Sequence, residues 1–204
     1  MPQFKVERER DFHPHHILIS AANTALDDAK AKRPGYLYYE LTAIMFSALA
    51  LEALANSFGD HLILRWKDYE SSSPIAKLRI VCDSLRIVVD FDHEPWSTVL
   101  WLVKFRNKVA HAKPESIRSE ALMSEVEFEA KGRDMPESAM EKEISLPNAE
   151  RSVTAVESIL EMLYGKLDPY TASSLLMDGW SGSTSRINDP PIAGTDGGAQ
   201  ASPT

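Results

Sequence analysis

The stretch LTAIMFSALALEALANSF, residues 41–58, decides how the whole chain is read. It is apolar enough to suggest a membrane span. Its unbroken apolar run, however, falls short of the roughly 20 residues a span needs, and Glu52 and Asn56 interrupt it. The reading that fits is the central helix of a soluble bundle. It runs from Tyr36 to the neighbourhood of Trp66, either as one helix or as two joined near Gly59.

Segments that could pack around it lie on both sides. Between His15 and Lys32, Ile17, Leu18, Ala21, Ala25 and Ala29 recur at helical spacing, after Asp11 and Pro14 as an opening signal and before a Pro34-Gly35 stop. Ser73-Pro74 places a capping hydroxyl before a proline at the first helical position, and Leu78, Val81, Cys82 and Leu85 follow. Pro95 opens another helix, through Trp96, Val99, Leu100 and Val103. A last amphipathic helix runs from Asn148 to near Leu167, with Val153, Val156, Leu160, Leu163 and Leu167 on one face.

SEVEFEA, residues 124–130, alternates as a strand does, and predicts a short hairpin with EKEISL around Gly132. After Asp178 the chain holds five of its nine glycines and few apolar anchors, a composition expected to stay disordered. The fold expected is therefore all-α: an up-and-down bundle of about five helices with a possible β-hairpin insertion. Residues 1–14 read as a leader, 15–167 as the helical domain, and 168–204 as an extension that is disordered from position 179 onward.

A chain of 204 residues suits one well-packed domain. Its net charge of −8 argues against coating nucleic acid non-specifically, which needs a surplus of Lys and Arg. One cysteine, Cys82, excludes an internal disulfide and reads as a small core residue. The charged start MPQFKVERERDF lacks the apolar core of a signal peptide, and a cytoplasmic location away from membranes is expected.

The charge balance reverses locally. KFRNKVAHAKP, residues 104–114, ends the helix that Pro95 opens. From Lys104 to Arg118 there are five basic residues (Lys104, Arg106, Lys108, Lys113, Arg118) against one acid, Glu115. Lys104, Lys108 and Lys113 are candidates to bind an anion. The same stretch carries Arg106, Asn107 and His111.

Arg followed directly by Asn and, four residues on, by His, at the end of an apolar helix, resembles the signature of the HEPN superfamily (higher eukaryotes and prokaryotes nucleotide-binding domain). The phrase LEALANSF resembles that family's earlier helix, in which an acidic residue and an Asn sit in apolar sequence. The resemblance spans residues 15 to 167. It implies a metal-independent endoribonuclease of toxin or defence type, or a non-catalytic relative that binds nucleotide, RNA or a protein partner. It also implies a homodimer whose site forms where two copies meet, and a possible cognate antitoxin.

The residue types suit that chemistry. Metal-free RNA cleavage needs a group that exchanges a proton with the 2′-hydroxyl or the leaving oxygen, and histidine titrates in the right range. It also needs a fixed cation at the phosphate, which the arginine fork supplies. His111 is thus the candidate acid/base, Arg106 the phosphate clamp and Asn107 an orienting group. No glycine-rich phosphate loop or metal-ligand spacing is present, so neither a cofactor nor a metal is expected.

A regular helix sets Arg106 and His111 about 140° apart. Ser97, Lys104, Lys108 and His111 share a polar face, whereas Arg106 falls on a largely apolar arc. Either the helix is irregular by His111, or a site needs two copies. A charge on an apolar arc needs a partner, and Glu52, the one acid inside the longest apolar run, is the candidate; Asn56, one turn on, could join it. His13, His15 and His16 read as part of a leader or helix start, and Trp96 and Trp101 as packing anchors.

Overall fold

The computed structural model describes residues 3–132, 134–176 and 179–187. They fall into two units: a helical body, His13–Leu176, and a small unit drawn from the two ends of the chain.

The body holds seven α-helices among the described residues: α1 (Pro14–Lys30), α2 (Tyr36–Leu62), α3 (Pro74–Ser84), α4 (Trp96–Ala110), α5 (Glu125–Lys131), α6 (Leu146–Tyr164) and α7 (Pro169–Leu176). Five of them, α1, α2, α3, α4 and α6, build the packed bundle, with α2 against each of the other four. α2 is one continuous helix, not two. By length and composition it could cross a membrane, and half of its most apolar window is buried inside the bundle. Ala43, Ile44, Leu51, Leu54 and Phe58 form its inner face, and they meet Val81 and Cys82 of α3, Val99, Leu102 and Phe105 of α4, and Val156, Ile159 and Leu163 of α6 in one core. Each of these side chains is at most 2% exposed, the condition under which burial contributes most to stability.

Local chemistry explains the ends of the helices. The Ser73 hydroxyl accepts from Ala76 N and Pro74 begins α3, as the sequence suggested. Pro14 begins α1, but its N-cap is His13, not Asp11, and carries no side-chain cap. α2 runs straight through Gly59 because the residue packed there is Trp66: a Cβ on Gly59 would lie 2.4 Å from the indole ring. Glycine is what lets the buried Trp66, in the short 3-10 helix Trp66–Tyr69, lie flat on the α2 backbone.

Two expectations fail. SEVEFEA is helix α5, not half of a hairpin, and EKEISL contains a 3-10 turn, Glu141–Glu143. The alternation of Val126 and Phe128 has no neighbouring strand to satisfy. Local signals prevail instead. The Ser124 side chain and Glu127 form a reciprocal capping box, acids occupy the first turn and Lys131 the last. Strands occur at the chain ends. β1 (Gln3–Arg10), in the expected leader, pairs antiparallel with β2 (Trp180–Ile187), in the expected disordered tail, with Val6 opposite Thr184 and Arg10 opposite Trp180. The rest of that tail, residues 188–204, lies outside the described residues. WSGSTSRI shows no apolar alternation because a ladder is made by backbone groups, and a polar, Gly-containing strand can still supply them. The expected extension from 168 also contains a helix, α7, whose Leu175 is fully buried in the body.

The histidines at the head of α1 are structural. His15 is fully buried, with Nδ1 3.0 Å from Ser57 Oγ of α2 and Nε2 3.4 Å from the Tyr164 hydroxyl of α6. His13 and His16 bond the α7 carbonyls of Ser174 and Leu175, at 3.1 and 2.8 Å. The cluster therefore joins α7 to the bundle. Among the described residues no group of His, Cys, Asp and Glu is placed to hold a metal ion.

Candidate functional site

α4 carries the motif. Its inner side chains Val99, Leu102 and Phe105 are fully packed, and this fixes the direction in which the intervening residues leave the helix. α4 ends at Ala110, and His111 is its C-cap, with φ −114° and ψ 17°; its N still donates to Asn107 O, 3.1 Å away. The motif's histidine thus stands just past the last regular turn. Within one chain the motif divides into two clusters on different sides of α4.

The first cluster surrounds a carboxylate. Arg106 Nη2 donates to Glu52 Oε2 at 3.0 Å, and Arg106 Nη1 donates to Asn107 Oδ1 at 2.9 Å. The arginine side chain is 32% exposed and the glutamate 25%, so the pair sits at the edge of the bundle and not in its interior. A third member was not expected. Lys77 of α3 donates from Nζ to Glu52 Oε1 at 3.4 Å, and its side chain is only 5% exposed. One carboxylate is thus shared by two cations, leaving a surplus of positive charge on the side where Arg106 reaches solvent. Asn56, one turn after Glu52, does not join the cluster: its buried Oδ1 has no hydrogen-bond partner among the described residues.

A signal for Lys77 exists in the sequence. Lys77 stands four residues before Val81 and one before Leu78, on the inward face of α3, where a charge needs a partner as much as Arg106 does.

The second cluster lies past the C-terminus of α4. His111 and Lys113 are exposed and, with Lys108, rim a cleft of about 450 Å³ whose walls include Ala112, Pro114, Ala139 and Met140. Lys108 is tied down: its Nζ donates to Glu143 Oε1 at 2.6 Å and to Ala139 O at 3.2 Å. Glu143 in turn accepts from Trp101 Nε1 at 2.9 Å, and the Arg151 guanidinium lies over the Trp101 ring, 4.1 Å from its centre. The hydrogen bond from Lys108, reinforced by Trp101, holds the Glu143 carboxyl below its ordinary range. Trp101 also stacks on Phe105, so it packs as expected.

Lys104 is exposed and makes no hydrogen bond or ion pair among the described residues. Of the seven residues singled out in the sequence, the fold brings Arg106, Asn107 and Glu52 together. It brings Lys108, His111 and Lys113 together elsewhere, and it leaves Lys104 by itself on the polar face.

Comparison of the chain with models of known protein families, with curated proteins and with solved structures gives no match in any of the three.

Proposed function

We propose that the chain is a HEPN-like, metal-independent endoribonuclease of toxin or defence type, acting in the cytoplasm, whose site is completed by two copies. One observation carries the reading. Arg106 and His111 leave the end of α4 toward different partners, one against Glu52 and Asn107, the other on a cleft with Lys108 and Lys113, so one copy does not bring both halves to the same partners. A twofold axis near the ends of two α4 helices would set the Arg106 of each copy toward the His111 of the other.

In that arrangement Arg106, held in place by Glu52, bonds a non-bridging phosphate oxygen. His111 takes the proton of the ribose 2′-hydroxyl, whose oxygen attacks phosphorus. The 5′-oxygen leaves with a proton drawn from water, and a cyclic phosphate remains. Lys104 and Lys113 draw the backbone in.

The experiment is cleavage of single-stranded RNA in excess EDTA. Wild type should cut, and His111→Ala and Arg106→Ala should each be inactive while folded. Mixing the two inactive variants should restore activity, because one of the two sites in the mixed dimer keeps both groups. Equal activity in wild type and His111→Ala would overturn the catalytic assignment.

A second reading is a non-catalytic module that binds nucleotide, RNA or a protein such as an antitoxin. It is favoured by the state of the two groups: the Arg106 guanidinium is already engaged, and no hydrogen bond among the described residues fixes the His111 ring. Absence of cleavage together with RNA binding that Lys104→Ala and Lys113→Ala weaken would select it.

A further inference from the structure

The basic stretch that ends α4 is followed at once by its opposite. From Ser119 to Ala130 the chain carries Glu120, Glu125, Glu127 and Glu129 and no Lys or Arg. Interleaved with these acids are Leu122, Met123, Val126 and Phe128. Every residue from His111 to Lys131 is exposed, and α5 buries nothing: Leu122 is fully exposed and Phe128 is 59% exposed.

A seven-residue helix is too short to be stable alone in water, even with a capping box, so α5 calls for a surface to lie on. The described residues do not supply one. Glu120, Glu125 and Glu129 form no ion pair among the described residues. Neither do Lys104, Lys113 and Arg118, the cations that precede them.

The two blocks are complementary in kind. The cleft beside His111 has apolar walls (Ala112, Pro114, Ala139, Met140) and a rim on which Lys108, His111 and Lys113 stand against one acid, Glu115. The arm offers apolar side chains flanked by carboxylates. We infer that the acidic arm, residues 119–130, of one copy docks in the His111 cleft of a second copy, and that the second copy's arm docks likewise in the first. A twofold contact is self-complementary when a patch and its complement both sit near the axis, and here they are consecutive in the chain. The apolar residues of the arm supply the buried centre and the carboxylates the register.

The inference rests on the reading above only for the existence of a second copy. An arm seated in this cleft and an RNA phosphate would contend for the same cations.

Charge exchange tests it by sedimentation at low salt. One variant reverses the arm (Glu120→Lys, Glu125→Lys, Glu129→Lys). The other reverses the basic end (Lys104→Glu, Lys113→Glu, Arg118→Glu). All six side chains are exposed, and unchanged far-ultraviolet circular dichroism will show that the bundle is intact. Wild type is expected to be dimeric and each variant alone monomeric. An equimolar mixture should be dimeric again, because each reversed arm then meets a reversed cleft. As a second measurement, a peptide spanning residues 117–132 should dissociate the wild-type dimer. A monomeric wild type overturns the inference. So do variants that stay dimeric alone, or a mixture that stays monomeric, which would mean that the two blocks act within one chain. An arm-reversed variant that stays dimeric and still cleaves RNA would leave the composite site standing and remove the arm alone.

Discussion

Glu52→Gln tests the charge cluster at α4 most directly. The carboxylate touches two cations in unequal surroundings. Lys77 is 5% exposed and among the described residues finds its only carboxylate in Glu52 at 3.4 Å; Arg106 is 32% exposed and also bonds Asn107. Removing the negative charge leaves the Lys77 ammonium buried alone, which costs about 3–5 kcal/mol. The half-exposed Arg106 pair accounts for under about 1 kcal/mol of that. With a urea slope of about 2 kcal/mol/M, the unfolding midpoint should fall by roughly 1.5–2.5 M. The remedy should be equally unequal. Lys77→Met in the Glu52→Gln background should recover most of the loss, since an apolar chain of similar length replaces an unpaired charge. Arg106→Met in the same background should recover little. The assay is urea unfolding followed by tryptophan fluorescence and circular dichroism, completed as double-mutant cycles. A Glu52→Gln loss below about 1 kcal/mol would refute the argument, as would rescue by Arg106→Met that exceeds rescue by Lys77→Met.

Other outcomes follow from single contacts. Gly59→Ala should destabilise by about 1–3 kcal/mol and shift tryptophan emission, because the new methyl group displaces the Trp66 ring; an unchanged melting temperature and spectrum would contradict the packing. The Cys82 thiol, pushed up to about 12 chiefly by burial, should resist alkylation at pH 8 in the native protein and react once urea unfolds it. Glu143, held below its ordinary 4.5 by Lys108, binds fewer protons folded than unfolded, so its contribution is present above pH 4.5 and is lost as pH falls through the lower folded value. Glu143→Gln should flatten that acid limb slightly, the side chains being 34% and 41% exposed, and stability curves between pH 2 and 5 will show it.

The bundle was legible because its helices announce themselves through apolar spacing and proline starts, and those signals are local. The Glu52–Arg106 contact was legible for a different reason: a charge on an apolar arc has few places to go. The same rule applied to α3 points at Lys77, which stands one residue before Leu78 on the inward face. What remained hidden depends on partners distant in sequence. β1 and β2 pair residues 3–10 with 180–187 through backbone groups that every sequence possesses. His15 is a core residue because Ser57 and Tyr164 come to it from two other helices. At α5 the strand-like alternation was real, but a four-residue capping box, Ser124 to Glu127, outweighed it. The division of the motif between two sides of α4 was visible in the helical period, and the fold adds that His111 is the helix's C-cap, one residue past its last turn.

If the proposed site needs two copies, the division of its residues at the end of α4 has a consequence for dose. An active centre that one copy cannot complete makes no product while copies are apart. Below the dissociation constant, the population of paired chains rises with the square of concentration, so halving expression quarters the output. A cell could carry such a protein quietly at low abundance and meet its effect abruptly as synthesis rises or clearance slows. The threshold would be set by the strength of pairing, not by the chemistry at Arg106 and His111, and selection could tune one without altering the other.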